Sequence, residues 1–189
     1  MKKIMFNDKY GLTQAVLEGR KTMTRRIILN DETEGGLMPV SFWNGKWCGS
    51  HGRPLSKQPY SIGEVVAIAQ KYQDLPDPFA GRGTTWRDAA GWRNKMFVCA
   101  EDMPHHIRIT DIKVERLQDI SEEDCLKEGI GATNVFEVYG IEISYFFEGN
   151  SEAYLTPKEA FAALIDKVSG KGTWESNPYV FCYTFELVD

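Results

Sequence analysis

The chain has 189 residues, 42% of them hydrophobic and 12% aromatic. That suits one ordinary domain with a sizeable core, residues 1–189, and excludes a disordered or low-complexity chain. A net charge of −5 argues against a broad nucleic-acid binder. No stretch approaches the ~20 continuous apolar residues a membrane helix needs, so no membrane partner is expected.

The distribution of charge is uneven. Residues 1–95 carry 15 Lys and Arg against 9 Asp and Glu, and residues 96–189 carry 7 against 18. This reads either as asymmetry between solvated faces or as an anionic-ligand site on an acidic body. The N-terminal Met1-Lys2-Lys3-Ile4-Met5-Phe6 has too short an apolar part for a signal peptide and no small-residue cleavage site. Export is not expected, and the cytoplasm is the expected compartment.

A first helix is predicted over about Leu12 to Leu17, closing near Gly19, a good residue for the position after a helix. The run Gly19-Arg20-Lys21-Thr22-Met23-Thr24-Arg25-Arg26 follows. It puts four cations and two Thr hydroxyls just beyond a helix. In a fully extended chain Lys21 and Thr24 would point to opposite faces, and a turn at the helix exit would bring them together. On its own the run also reads as a solvated basic turn.

Residues 30–62 are rich in Gly, Ser, Pro and Asn and read as a long loop holding Trp43 and Trp47. Glu64 to Gln70 reads as a buried strand. Residues 73–95 form a second irregular insertion, with Trp86 and Trp92 among Arg82, Arg87 and Arg93. The tryptophans read as packing residues or, beside those arginines, as platforms for nucleobases. Trp43 and Trp86 are the two taken as candidate substrate contacts.

Strands are predicted at Lys95 to Ala100 and His106 to Leu117. Ser121-Glu122-Glu123-Asp124 has the pattern of an N-cap with acids in the first turn, opening a short helix that ends at Gly129. Val135 to Phe147 is β-like. Thr156-Pro157-Lys158-Glu159 signals a helix start, with Phe161, Leu164, Ile165 and Val168 as its core stripe up to Gly170. The last strand is Tyr179 to Val188, alternating along its length. Strands outnumber helices without a regular βαβ alternation. An α+β domain is expected, with a small, mostly antiparallel sheet closed or nearly closed into a barrel and about three flanking helices.

Several chemistries are excluded. Gly81-Arg82-Gly83-Thr84-Thr85-Trp86 and Gly170-Lys171-Gly172-Thr173-Trp174-Glu175 both miss the last glycine of the dinucleotide fingerprint, and no Walker A loop is present. No G-x-S-x-G elbow occurs. Cys48, Cys99, Cys125 and Cys182 form no C-x-x-C pair, and Cys48 with His51 lacks a second half. His105 and His106 are adjacent, so on a strand they face opposite sides. No metal and no cofactor is expected.

Gly19, Lys21, Thr24 and Arg26 match G-x-K-x-x-(E or T)-x-R, which resembles the signature of the ASCH domain family, a branch of the PUA-like RNA-associated barrels. Ile112 to Glu128 resembles the second hallmark of bacterial and phage ASCH-like proteins. Trp174-Glu175-Ser176-Asn177-Pro178-Tyr179-Val180 resembles their C-terminal strand entry. The resemblance covers about residues 4–29, 60–72 and 92–189. It implies a PUA-like barrel with a cleft for a modified nucleoside or RNA. One bacterial branch hydrolyses the acetyl amide of N4-acetylcytidine with a Lys, a Thr and a Glu, which fall here on Lys21, Thr24 and Glu128. Many members carry Glu at the Thr24 position, so Thr favours that branch. The tryptophan-bearing insertions, about 30–60 and 73–95, depart from the compact amidohydrolases.

Two schemes follow for an amide. Thr24 attacks the carbonyl with neutral Lys21 as base, or Glu128 activates water with the Lys21 ammonium on the oxyanion. Arg26 is a candidate for holding a carbonyl or phosphate, and Arg20 and Arg25 are candidate substrate contacts beside it. An acid at Glu128, in the last turn of a helix, sits where the helix dipole disfavours it. The competing expectation is a non-catalytic RNA-binding module using the same cleft, and a third is an accessory protein whose ligand is another protein.

Overall fold

A computed structural model describes residues 1–28, 41–43, 46–48, 58–76, 89–133 and 143–189. In chain order the elements are β1 (Lys3–Ile4), α1 (Leu12–Leu17), β2 (Met23–Ile27), β3 (Ser41–Trp43), β4 (Lys46–Cys48), β5 (Val65–Ile68) and β6 (His106–Arg116). Then come α2 (Glu122–Lys127), β7 (Gly131–Thr133), β8 (Ser144–Phe146), α3 (Pro157–Ser169), α4 (Thr173–Ser176) and β9 (Tyr179–Leu187).

The longest strands, β6 and β9, form the spine. The main sheet runs β1-β5-β6-β9-β2, with only the β1–β5 pair parallel. β9 is buried at Val180, Phe181, Cys182 and Tyr183 in succession, so both of its faces are covered and its apolar residues need not alternate with polar ones. The register of β6 on β9 shifts between Ile109 and Asp111, a bulge that bends a long strand. The main core joins Ile4, Val16, Ile68, Ile107, Phe161 and Phe181. A second cluster, around Tyr72, Val98 and Met103, packs with Ala67 and Ala69.

The expected barrel is corrected. Among the described residues the sheet is open, with β1 and β2 as its edges. The Arg26 side chain reaches across, Nη2 donating to the Met5 carbonyl at 2.6 Å. The helices match the sequence reading closely. Ser121 caps α2 by accepting from Asp124 N, and Thr156 with Glu159 forms a complete capping box on α3. α4 is an additional short turn before β9.

Lys95 to Ala100 is not a strand. It holds 3₁₀ turns at Lys95–Phe97 and Ala100–Asp102, the first capped by the Asn94 side chain accepting from Met96 N. Both edges of β5 are already filled by β1 and β6, and the Asn cap offers the backbone an alternative to a ladder. The region read as one long loop contains the β3–β4 hairpin. The intervening Asn44-Gly45 is a strong two-residue hairpin signal. Of Val135 to Phe147, only residues 143–147 lie within the described residues, where β8 pairs with β7. Among the described residues no helix is long and apolar enough to cross a membrane.

Candidate functional site

The site begins where α1 ends. Gly19 sits at φ +72°, a left-handed conformation that glycine adopts freely. The turn it allows lets Lys21 N donate to Ala15 O at 2.9 Å, and Thr22 N then donates to Lys127 O at 2.9 Å. The signature run is thus stitched to the end of α2 before β2 begins at Met23. Because Lys21 precedes the strand, the alternation that would separate it from Thr24 does not apply.

Lys21 is 2% exposed and Glu128 4%. Lys21 Nζ donates to Glu128 Oε2 at 2.6 Å and to the Glu128 carbonyl at 2.6 Å. That carbonyl belongs to the C-terminal end of α2, whose partial negative charge favours a cation. Glu128 is therefore not a solvated acid. Next to it Gly129 has φ +103°, and a Cβ there would lie 3.2 Å from Leu12 Cδ2 and 3.6 Å from Lys21 Cδ. A side chain there would be strained at that φ and tight against Leu12, so the turn that follows Glu128 favours glycine.

Arg25 lies behind the pair. Its Nη1 donates to Glu128 Oε1 at 3.0 Å, its Nε and Nη2 to Glu115 Oε1 at 3.0 and 2.6 Å, and Nη2 to Asp124 Oδ2 at 3.1 Å. Lys113 Nζ closes the outer side on Glu115 Oε2 at 3.0 Å and Asp124 Oδ2 at 3.2 Å. Three cations thus meet three carboxylates in one partly buried network, which is how charges are kept inside a fold.

A cavity of about 500 Å³ lies over this network. Both sheet edges line it, through Met5 to Lys9 after β1 and through Lys21, Thr24, Arg25 and Arg26. Glu128 and the α3 residues Phe161, Leu164, Ile165 and Val168 complete the wall. Thr24 is 5% exposed, and its hydroxyl has no hydrogen-bond partner among the described residues. Arg26 has a buried Nε without a partner. Lys95 reaches the rim and is held by Asp8, the Phe6 carbonyl and Thr13.

Burial pushes the Lys21 ammonium below its ordinary value, against the pull of Glu128 and with help from Arg26 and Arg25. Burial also opposes the Arg25 charge, but Glu128 and Glu115 outweigh it and hold its pKa above the ordinary value. The buried thiols of Cys125 and Cys182 are pushed up to about 12, so neither supplies a thiolate nucleophile near neutral pH.

Lys21, Thr24, Glu128, Arg25 and Arg26 therefore meet at one cavity. Arg25 lines it with its guanidinium committed to carboxylates. Arg20 does not line it; that side chain is half-exposed and pairs with Glu18 at the surface. The backbone of Trp43 lies in β3, while its side chain and the whole of Trp86 lie outside the described residues. Three features were missed in the sequence. The α3 stripe, read as core, walls the cavity. Glu115 and Asp124, read as strand and first-turn acids, anchor Arg25. Met5 and Phe6 line the cavity with no sequence signal that they would.

No family model matches the chain, and no curated protein matches it. Among solved structures, the crystal structure of protein EF3133 from Enterococcus faecalis V583, of family model DUF984, resembles it with a TM-score of 0.43 and 16% identity, over 100% of this chain and 77% of that one. A likeness at that level decides neither fold nor activity.

Proposed function

We propose that the chain is an ASCH-like, PUA-like protein that hydrolyses the N4-acyl amide of a modified cytidine in the Lys21 cavity. One observation carries the reading: a buried Lys21–Glu128 pair and an unpartnered Thr24 hydroxyl line the same cavity. Its volume of about 500 Å³ lies within the range of small-molecule sites. The free thiols of Cys99, Cys125 and Cys182 suit a reducing compartment such as the cytoplasm.

Of the two schemes, nucleophilic attack by Thr24 fits better. Both Glu128 oxygens already accept from cations, whereas the Thr24 hydroxyl is free to react. Thr24 Oγ1 attacks the acyl carbonyl carbon and its proton passes to neutral Lys21 Nζ. The displaced electron pair rests on the carbonyl oxygen, which Arg26 stabilises. Collapse breaks the bond to N4, and the Lys21 ammonium returns the proton to the leaving amine. Water then attacks the acyl-Thr24 ester with Lys21 again accepting a proton; collapse breaks the ester bond, Lys21 returns that proton to Thr24 Oγ1, and acetic acid leaves and ionises to acetate. A free Lys would need about 4–5 kcal/mol to be neutral at pH 7, and burial lowers that requirement.

Incubation with N4-acetylcytidine, measuring acetate and cytidine together, tests the reading. The two products are expected in equal amounts. No release from the nucleoside or from an acetylated RNA oligonucleotide would sink it. RNA affinity falling steeply with salt would then select the binding-module alternative.

A further inference from the structure

We infer that Arg25 is a positioning residue: it fixes Glu128 through one carboxylate oxygen, is anchored from behind by Glu115 and Asp124, and so confines Lys21 to the other oxygen. The inference rests on the reading of Lys21 as the base of the reaction. It assigns Arg25 a task other than substrate contact.

The geometry is specific. The Arg25 side chain is 1% exposed and makes four hydrogen bonds to three carboxylates. A guanidinium has five N–H donors in a rigid plane, and here the plane points one edge at Glu128 and the rest at Glu115 and Asp124. Its position is set by the two outer acids, themselves clamped by Lys113. Glu128 cannot turn both oxygens to Lys21 without leaving an N–H of Arg25 buried and unpaired, which costs ~1–3 kcal/mol or more for a charged group.

The consequence for Lys21 follows from charge. The groups acting on it are Glu128 from the end of α2 and Arg25 and Arg26 from β2. Asp8, Lys9 and Lys95 stand on the cavity wall near β1, and α3 contributes only Phe161, Leu164, Ile165, Val168 and Ser169, none of which titrates. Arg25 acts on Lys21 twice, by direct repulsion and by sharing the carboxylate that would otherwise hold the ammonium. Both effects favour the neutral amine.

The test is the titration of Lys21, followed by its side-chain ¹³Cε resonance in lysine-labelled protein and assigned by its loss in Lys21→Arg. It needs no substrate. In Arg25→Gln the Lys21 midpoint is expected to rise by about one pH unit or more, since a cation next to its partner is gone. In Glu115→Gln the midpoint is expected to fall, because Arg25 loses an anchor and leans further onto Glu128. Arg25→Lys, which keeps the charge without the fork, is expected to fall between wild type and Arg25→Gln.

The opposite signs separate positioning from damage. Loosening the fold exposes Lys21 and raises its midpoint in every variant. An unchanged or lowered midpoint in Arg25→Gln, or a raised or unchanged one in Glu115→Gln, overturns the inference. Should Arg25→Gln fail to fold, Glu115→Gln decides alone. Midpoints that shift as stated in a protein that releases no acetate leave the role of Arg25 standing and remove the hydrolase reading instead.

Discussion

Replacing Glu128 by Gln keeps the shape of the side chain and removes its charge. Each Glu128 oxygen accepts from a cation, Oε2 from Lys21 at 2.6 Å and Oε1 from Arg25 at 3.0 Å. An amide offers one oxygen and one NH₂, so one end must face a donor. A charged hydrogen bond contributes about 1.5–3 kcal/mol and a buried unpaired donor costs ~1–3. The sum agrees with the ~3–5 kcal/mol seen when one partner of a buried ion pair is removed.

The loss depends on pH. Lys21 is already held below its ordinary 10.5 by burial, and without the carboxylate it falls further. A Lys whose folded pKa lies below its unfolded value destabilises the fold at low pH and ceases to do so at high pH. The Lys21 part of the variant's deficit is therefore full below its own Lys21 pKa and is lost as pH rises through the wild-type value, while the part from Arg25, which stays charged, remains. A neutral Lys21 amine can also accept from the new NH₂, which removes the donor clash. Urea denaturation of both proteins at pH 7 and pH 10 measures this. The gap at pH 7 is expected to be about 3 kcal/mol, and it is expected to be smaller at pH 10. A gap below ~1 kcal/mol at pH 7, the value for an exposed pair, or an equal gap at both pH values, would show that Lys21 and Glu128 do not act as a buried charge pair.

Thr24→Val should leave urea stability within about 1 kcal/mol of wild type, because no partner of the hydroxyl is lost, while acetate release disappears. Thr156→Ala removes half of the capping box on α3 and should cost ~0.5–2 kcal/mol in the same denaturation assay. Asp124 is held below its ordinary 3.8: burial opposes this, but Lys113 and Arg25 outweigh it. Its contribution is fully present above 3.8 and is lost as pH falls through the lowered folded value. Asp124→Asn should thus lower the urea midpoint at pH 5 and narrow its gap to wild type at pH 2.

The helices were legible because their signals are local. Caps, first-turn acids and the Thr156-Pro157-Lys158-Glu159 start are read within one turn, and each proved to mark a real boundary. β6 was legible from its β-like residues and β9 from the alternation along its length. The hairpin at Phe42 to Trp47 was hidden by the surrounding glycines and prolines, although its Asn-Gly signal was present. The false strand at Lys95 to Ala100 has β-like residues, but short-range capping prevailed and β5 offered no free edge. Lys21, Thr24 and Glu128 were found together through the signature and its family resemblance. Arg25's commitment to three acids could not be read, since Glu115 and Asp124 are 90 and 99 residues away. Only the β2–β9–β6 stacking brings Glu115 beside it.

The most direct test is one experiment on N4-acetylcytidine with the wild-type chain beside Lys21→Ala, Thr24→Val and Glu128→Gln, each checked for folding by circular dichroism. Wild type is expected to release acetate steadily, at a rate that climbs with pH and levels off below 10.5, the ordinary value of a Lys. Release at background is expected in folded Lys21→Ala and Thr24→Val, and a loss of release in Glu128→Gln, because Glu128 Oε2 holds the Lys21 amine in place at 2.6 Å. A folded wild type that releases no acetate, or a Thr24→Val protein that turns over as fast as wild type, would contradict hydrolysis by Thr24.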